Sequence, residues 1–543
     1  MPRDVVGAVA PRRAATAIPV LPVLRTAGTI VAVCAFLVLV GLFGQFATRP
    51  LIVDVVDIGH AMMLAAAMGG GAALTRRGAG PAGLLAATLA GATAGAGLTL
   101  LVAVVRAANL RWIFISLMPV TLNRIGYGLP DGEAAGWLAL GGAAAAALGS
   151  ACVLAPPLAR RVLLGALGGV VVAGLLRELI RSLVGEYAGI EGWAISYDGL
   201  LPAGAAVAAV IGVIATVRPG RAQFRALPKP ARLGIQAAVL VLLFCVPAMT
   251  NDFVGQVMML VCLYTLMSLG LNIELGLAGL VDLGFVAFFA VGAYTVALLT
   301  SPTSSFGVHL TFFEALPLAV VVASVSGFFF GLPVLKVRGD YLAIATLGLG
   351  EIIRVLVLSD MLKPLLGGAQ GIVNIPKPDL FGLVLGSPTR LFYMTAVIAA
   401  FAGYCAWRLQ HSGLGRRWLA VREDEDVAQA LGIHLVQVKL SAYTLGAAFA
   451  GLAGGIFASM TGSVFPQSFQ LLVSVNVLAI LVVGGIGSLP GVLVGAITLI
   501  GAPEVLRDLG EYRYLIYGLV VIAVVRLKPE GLSPKAIKSR EAV

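Results

Sequence analysis

Apolar residues run through this chain in long blocks, not in the alternation of a half-buried surface. Ile30 to Phe46, Ala237 to Met249, Leu316 to Leu335, Phe392 to Trp407 and Leu515 to Val525 are clear cases. A helix crosses a bilayer with about 20 mostly apolar residues, so these blocks predict membrane spans. Loops on the cytoplasmic side collect Lys and Arg. That rule places Arg12-Arg13, Arg76-Arg77, Arg160-Arg161, Arg218 to Arg232, Arg408 to Arg422 and the tail from Arg526 to Arg540 inside. Loops with fewer basic residues, such as Ala47 to Asp57 and Ser301 to Phe313, then face outward. Alternating the two predicts roughly sixteen crossings, with both termini cytoplasmic. The expected fold class is an all-α polytopic membrane protein. A transmembrane β-barrel is excluded, because it would show alternating segments of about ten residues.

One stretch interrupts the pattern. Residues 218–232 hold three prolines, four arginines and a lysine, the composition of a cytoplasmic linker between modules. The expected organisation is an Ala- and Gly-rich accessory region over 1–217 with about six spans, the linker, and a domain over 233–543 with about ten membrane segments. A faint echo crosses the boundary. Asp57-Ile-Gly-His-Ala-Met-Met-Leu-Ala65 and Asp282-Leu-Gly-Phe-Val-Ala-Phe-Phe-Ala290 share an acid, a glycine two later and an alanine eight later. Transporters are often built from repeats, and chance similarity between Ala- and Gly-rich segments reads equally well.

Composition agrees with the membrane class. Hydrophobic residues make up 59% and charged residues 12% of 543 positions, against about 25% charged in soluble domains. The net charge of +11 is what basic cytoplasmic loops produce, and nucleic acid is not an expected partner. Arg3, Arg12, Arg13 and Arg25 precede an apolar run long enough to span, which reads as an uncleaved first span. The five cysteines are scattered, with neither metal nor pairing spacing. No Gly-x-x-x-x-Gly-Lys-Ser/Thr loop, His-Glu-x-x-His or catalytic pair is present. The chain is expected to bind no ATP or metal and to catalyse no covalent chemistry.

Three groups of residues carry candidate function. The first is cytoplasmic, from His411 to His434. Arg416 and Arg417 lead to Trp418, then to the acids Glu423 to Asp426 and to Val427-Ala-Gln-Ala-Leu-Gly432. Residues 423–431 are expected to form a short helix, with acids at its positive end and Gly432 at its C-cap. Ala428, Leu431 and the Val427 side would offer a small apolar face to a partner's groove, although an ordinary solvated loop helix fits the same residues. The second group is intramembrane. Asn272, Glu274 and Asp282 lie among Gly276, Gly279 and Gly284, a pattern that permits a broken helix beside a pathway or a short turn at an aqueous interface. The third comprises Asp340 as a helix N-cap, Glu351 and Arg354 three apart on the following helix, and the break Gly484-Gly485-Ile-Gly487-Ser-Leu-Pro-Gly491. Glu351 and Arg354 either pair structurally or line the pathway. The glycine break suits close packing or pathway lining alike.

The segment His411 to His434 resembles the coupling loop of ABC importer permeases, in which an acid-Ala-Ala motif precedes a glycine. The matching residues are Glu425, Ala428, Ala430 and Gly432, so the motif is loosened. More specifically, Gly415 to Ile433 resembles the LivM-type permease of branched-chain amino acid importers. Gly270 to Tyr294, Val337 to Arg354, Gly367 to Ile372 with Ile375 to Gly382, and Gly484 to Gly491 agree in the same order. The resemblance covers about residues 250–530 and leaves 1–230 outside. It implies an ABC importer permease fold with additional N-terminal helices, placed in the inner (cytoplasmic) membrane. It also implies a LivH-type partner permease, two ATPase subunits holding ATP and magnesium, and a periplasmic or extracellular binding protein that delivers branched-chain amino acids. The family commonly has His at the position of Phe285 and Ser at that of Asp282, so urea, amides or small carboxylates stand as alternative substrates. An ion-coupled secondary transporter is the alternative of another class.

Overall fold

The computed structural model describes residues 20–533 apart from 78–79, 109–111, 113, 115, 182–191, 197, 218–243, 245–246, 249–251, 335–339, 381, 508–509 and 511. The linker 218–232, most of the Ala237–Met249 run, both termini and the side chain of Asp340 therefore lie outside the described residues.

The chain divides into two compact units, 1–235 and 236–543. In the first, α1 (Val20–Leu39), α2 (Ile58–Arg77), α3 (Gly80–Ala107), α4 (Asp131–Leu154), α5 (Pro157–Leu175) and α6 (Pro202–Val217) follow in order. α3 packs on α4 and α2, and α5 packs on α6. Alanine and glycine let these backbones approach. A Cβ on Gly91 of α3 would lie 2.1 Å from the Gly142 carbonyl of α4, which is the close contact that small residues permit between membrane helices.

The second unit contains α7 (Asp252–Leu271), α8 (Val286–Thr300), α9 (Phe312–Val334), α10 (Asp340–Leu358) and α11 (Pro388–Gln410). Two short helices, α12 (Gly413–Glu423) and α13 (Glu425–Ala430), lead into the long α14 (Leu435–Thr461), followed by α15 (Leu471–Gly484), α16 (Leu489–Ala496) and α17 (Tyr512–Leu527). α14 is the centre, packing on α7, α8 and α9. Between α11 and α14 the chain reverses through α12 and α13, and between α10 and α11 it forms a loop at the other end of α14. There Ile372 bridges Val464, and the Lys377 ammonium donates to the carbonyls of Ser459 (3.0 Å) and Met460 (2.7 Å) at the last turn of α14. Partial burial pushes the Lys377 pKa below its usual value, while the negative end of the helix favours the cation.

Among the described residues ten helices are long and apolar enough to cross a bilayer, or eleven with the bent pair formed by Leu471–Gly484 and Leu489–Val505, which turns through 118°. The expected sixteen crossings refer to the whole chain, including the Ala237–Met249 run, most of which lies outside the described residues. Two further apolar helices, Pro202–Thr216 and Val286–Thr300, are shorter. The two-stranded pairs Pro50–Ile52 with Val56–Asp57 and Asp379–Leu380 with Leu383–Val384 are minor. The architecture is all-α and polytopic.

Candidate functional site

Two helices, not one, build the 413–432 segment. α12 ends at Glu423, Asp424 adopts an extended conformation, and its carboxylate accepts the Val427 amide at 3.0 Å to start α13. Glu423 thus closes the preceding helix instead of opening the short one, because Asp424 is the better placed N-cap. Gly432 ends the segment with φ +82°, a left-handed conformation glycine adopts without a Cβ penalty.

The faces of α13 also differ from expectation. Ala428 is only 2% exposed and belongs to this chain's own core. Val427 and Leu431, at 56% and 76% exposure, form the free apolar face, and Ala430 is exposed beside them. Arg416 and Arg417 are exposed on α12. Trp418 is fully buried and donates through Nε1 to the Val438 carbonyl (3.1 Å) and Ser441 Oγ (3.0 Å), which fastens α12 to α14. Replacing a buried aromatic by alanine costs about 3–5 kcal/mol. Trp418→Ala is expected to lower the thermal midpoint of the purified chain and to loosen α12, read as faster proteolysis near Arg416 and Arg417.

Two charged residues tie this segment to the membrane core. Lys439, one turn into α14 and nearly buried, meets Glu425 at 2.6 Å. Arg422 donates to the Gly276 carbonyl and lies against Gly279, whose φ is +74°. The expected broken helix is a π-helical segment, Asn272–Leu277, directly after α7. π-Bulges recur at functional sites. Asn272 is completely buried, and its Oδ1 accepts the Gly487 amide at 2.9 Å. Asn272 therefore fastens the two broken segments together.

Gly484, Gly485 and Gly487 make the second break. Gly484 packs against the Gly491 carbonyl, Gly485 ends α15, and Gly487 turns with φ +83°. Ser488 then caps α16 by accepting the Gly491 amide at 3.1 Å.

Glu274 and Asp282 are buried, at 0% and 2% exposure, not at an aqueous interface. The two carboxyl groups are neighbours in this core. Neither oxygen of Glu274 receives a hydrogen bond from a protein donor, and the buried Tyr443 hydroxyl is likewise without one. Asp282 Oδ1 accepts the Gly284 amide at 2.7 Å. Thr346 of α10 accepts Leu283 N and Ser474 of α15 accepts Val286 N, both at 3.0 Å. Side chains from three elements thus satisfy the amides of the turn that leads into α8 and of its first residue. In the first unit Asp57 accepts the His60 amide (2.7 Å) in the first turn of α2, whereas the Asp282 bond falls two residues ahead of α8. Glu351 and Arg354 form a two-pronged ion pair on α10, with Nε within 3.1 Å of both carboxylate oxygens.

Sequence reasoning missed Arg422, Lys439 and Tyr443 as parts of one assembly. The available signal was a lysine in the first turns of an otherwise uncharged 27-residue helix.

The family described as "Branched-chain amino acid transport system / permease component" matches residues 253–525. The chain is 39% identical over 320 residues, 55% of its length and 74% of the relative's, to the Salmonella typhimurium high-affinity branched-chain amino acid transport system permease protein LivM. It is 25% identical over 333 residues to a probable LivM permease of Methanocaldococcus jannaschii, covering 53% of this chain and 95% of that one. To the Escherichia coli permease protein LivH it is 25% identical over 286 residues, 50% of this chain and 90% of the relative. No solved structure gives a significant match.

Proposed function

Since the chain belongs to the family of branched-chain amino acid transport system permease components, we propose that it is the membrane-spanning permease of an ATP-driven ABC importer for branched-chain amino acids. Its expected companions are a LivH-type permease, two ATPase subunits that hold ATP and magnesium, and a binding protein that delivers substrate at the loop following α10. The expected location is the inner membrane, with α13 cytoplasmic. The chain itself carries no ATP site and no covalent chemistry. Residues 1–217 are proposed as an accessory to this permease and not as a replacement for the second one.

The observation that carries the reading is the route from α13 inward. Its exposed apolar face suits an ATPase groove. Glu425 passes displacement to α14 through Lys439, and Arg422 passes it to the π-helical segment, which Asn272 binds to the second break at Gly487. A push on α13 thereby reaches both broken helices of the core. Affinity purification of the tagged chain from its native membrane tests this. An ABC ATPase is expected to copurify, and its absence from an intact, active preparation would defeat the proposal.

The buried Glu274–Asp282 pair gives the ion-coupled alternative its one supporting feature, because proton relays use intramembrane acids. Glu274→Gln separates the two. Uptake is expected to fall about tenfold, a 1.4 kcal/mol effect, with the folded amount nearly unchanged. The residual uptake should persist under a protonophore while ATP lasts. Collapse of wild-type uptake under the protonophore at constant ATP would favour ion coupling.

A further inference from the structure

α10 presents its ion pair where a membrane helix ordinarily presents hydrocarbon. Glu351 is 52% exposed and Arg354 32% exposed in side chain, on a face shared with Ile344, Leu347, Ile352 and Val355. Charges within a span that meet lipid are costly and are kept where they face water, a partner or a ligand. Arg354 lies four residues from the end of α10 at Leu358, which leads to the loop bridged to Val464. The pair therefore sits toward the end of the unit opposite α12 and α13.

Two adjoining hollows flank the pair. One, of about 130 Å³, is bounded by Glu351 with Leu283, Leu347 and Leu471. The other is a crevice of about 10 Å³ bounded by Arg354 with Tyr294, Ile353 and Val357. Val286, Gly350 and Phe469 border both. The walls are thus mostly apolar, aliphatic and aromatic together, with one carboxylate and one guanidinium at the seam. A second, independent feature points to a ligand. Tyr294 is 5% exposed, and its hydroxyl has no hydrogen-bond partner. Leaving a buried hydroxyl unsatisfied costs about 1–3 kcal/mol, and this one borders the same hollow as Arg354.

We propose that Glu351, Arg354 and Tyr294 form a transient binding site for the zwitterionic head group of an α-amino acid with an aliphatic side chain. This deepens, and rests on, the transport reading above. The guanidinium fork and the Tyr294 hydroxyl hold the α-carboxylate, the Glu351 carboxylate holds the α-ammonium, and the branched side chain lies against Leu347, Val286 and Phe469. With no substrate the two charges close on each other. A solute with only one of the two charges leaves one member of the pair unmatched, and such mismatches discriminate strongly.

Uptake of labelled leucine is measured in cells making the full chain with its transport partners. Tyr294→Phe removes only an unpartnered oxygen, so the amount and thermal stability of the chain should not fall. Its uptake is expected to drop about threefold to tenfold, about 0.7–1.4 kcal/mol. The charge swap Glu351→Arg with Arg354→Glu keeps an ion pair but exchanges the ends, and uptake should fall more than about tenfold. Uptake within about twofold of wild type in either variant, when the variant is present at wild-type amount, overturns the site. If the swapped chain is not made, Tyr294→Phe alone decides. A wild-type chain that imports no branched-chain amino acid defeats the transport reading, and the site with it, an outcome distinct from active but insensitive variants.

Discussion

Placing aspartate at both Val427 and Leu431 should abolish ATP-driven uptake, by at least about a hundredfold, while the chain still inserts and folds. Both side chains are exposed, so the substitution disturbs nothing within the chain. Burying an aliphatic side chain of this size in a groove contributes about 1.5–3 kcal/mol. Two would be lost, and two carboxylates would then have to be desolvated in the groove. A loss of about 3–6 kcal/mol weakens docking by roughly two to four orders of magnitude. The measurement pairs uptake with the amount of ATPase retained on the purified chain. Ala428→Trp is the contrasting case. Ala428 lies in this chain's core, so the bulky ring should reduce the folded amount instead of selectively uncoupling a well-folded chain. Normal uptake by the aspartate pair would remove α13 from the mechanism.

Gly446→Val should cost the chain most of its folded yield, and Glu274→Ala should restore it. A Cβ on Gly446 would stand 1.8 Å from Glu274 Oε1 and 2.5 Å from its Cδ. Overpacking alone costs about 1–3 kcal/mol. Here the displaced group is a buried acid packed beside Asp282, which has no route to water that leaves the core intact. Shortening Glu274 to alanine opens the space the valine requires, so the two substitutions should be strongly non-additive, as expected for groups in contact. Detergent-solubilised monodisperse yield reads the effect. A stable Gly446→Val chain, or a double variant no better than the single, would contradict the placement of Glu274.

Part of this assembly was legible in the sequence and part was not. Long apolar runs identify the membrane class, because spanning length is set by the bilayer and not by tertiary context. Gly432 and the acids before Val427 mark a short capped helix through local backbone chemistry. The buried face of that helix was not legible. Six residues make fewer than two turns, too few for periodicity to distinguish Ala428 from Val427 and Leu431. The polar core was legible only as a set of residue types. Asn272 and Gly487 are 215 residues apart, and Arg422 and Gly276 are 146 apart. Their meeting depends on how α7, α12 and α15 pack, which no local pattern encodes. α8 covers only 15 residues, and the amides at and just ahead of its start are received by Asp282, Thr346 and Ser474 inside the core, partners that lie far apart in sequence or outside the helix.

The most direct test of the account is leucine uptake into proteoliposomes holding this chain with its partner permease and ATPases, with the binding protein outside. Accumulation is expected only when ATP is enclosed on the ATPase side and leucine-loaded binding protein is supplied, irrespective of any imposed ion gradient. Accumulation driven by an ion gradient without ATP, or no leucine accumulation by the complete assembly, would contradict it.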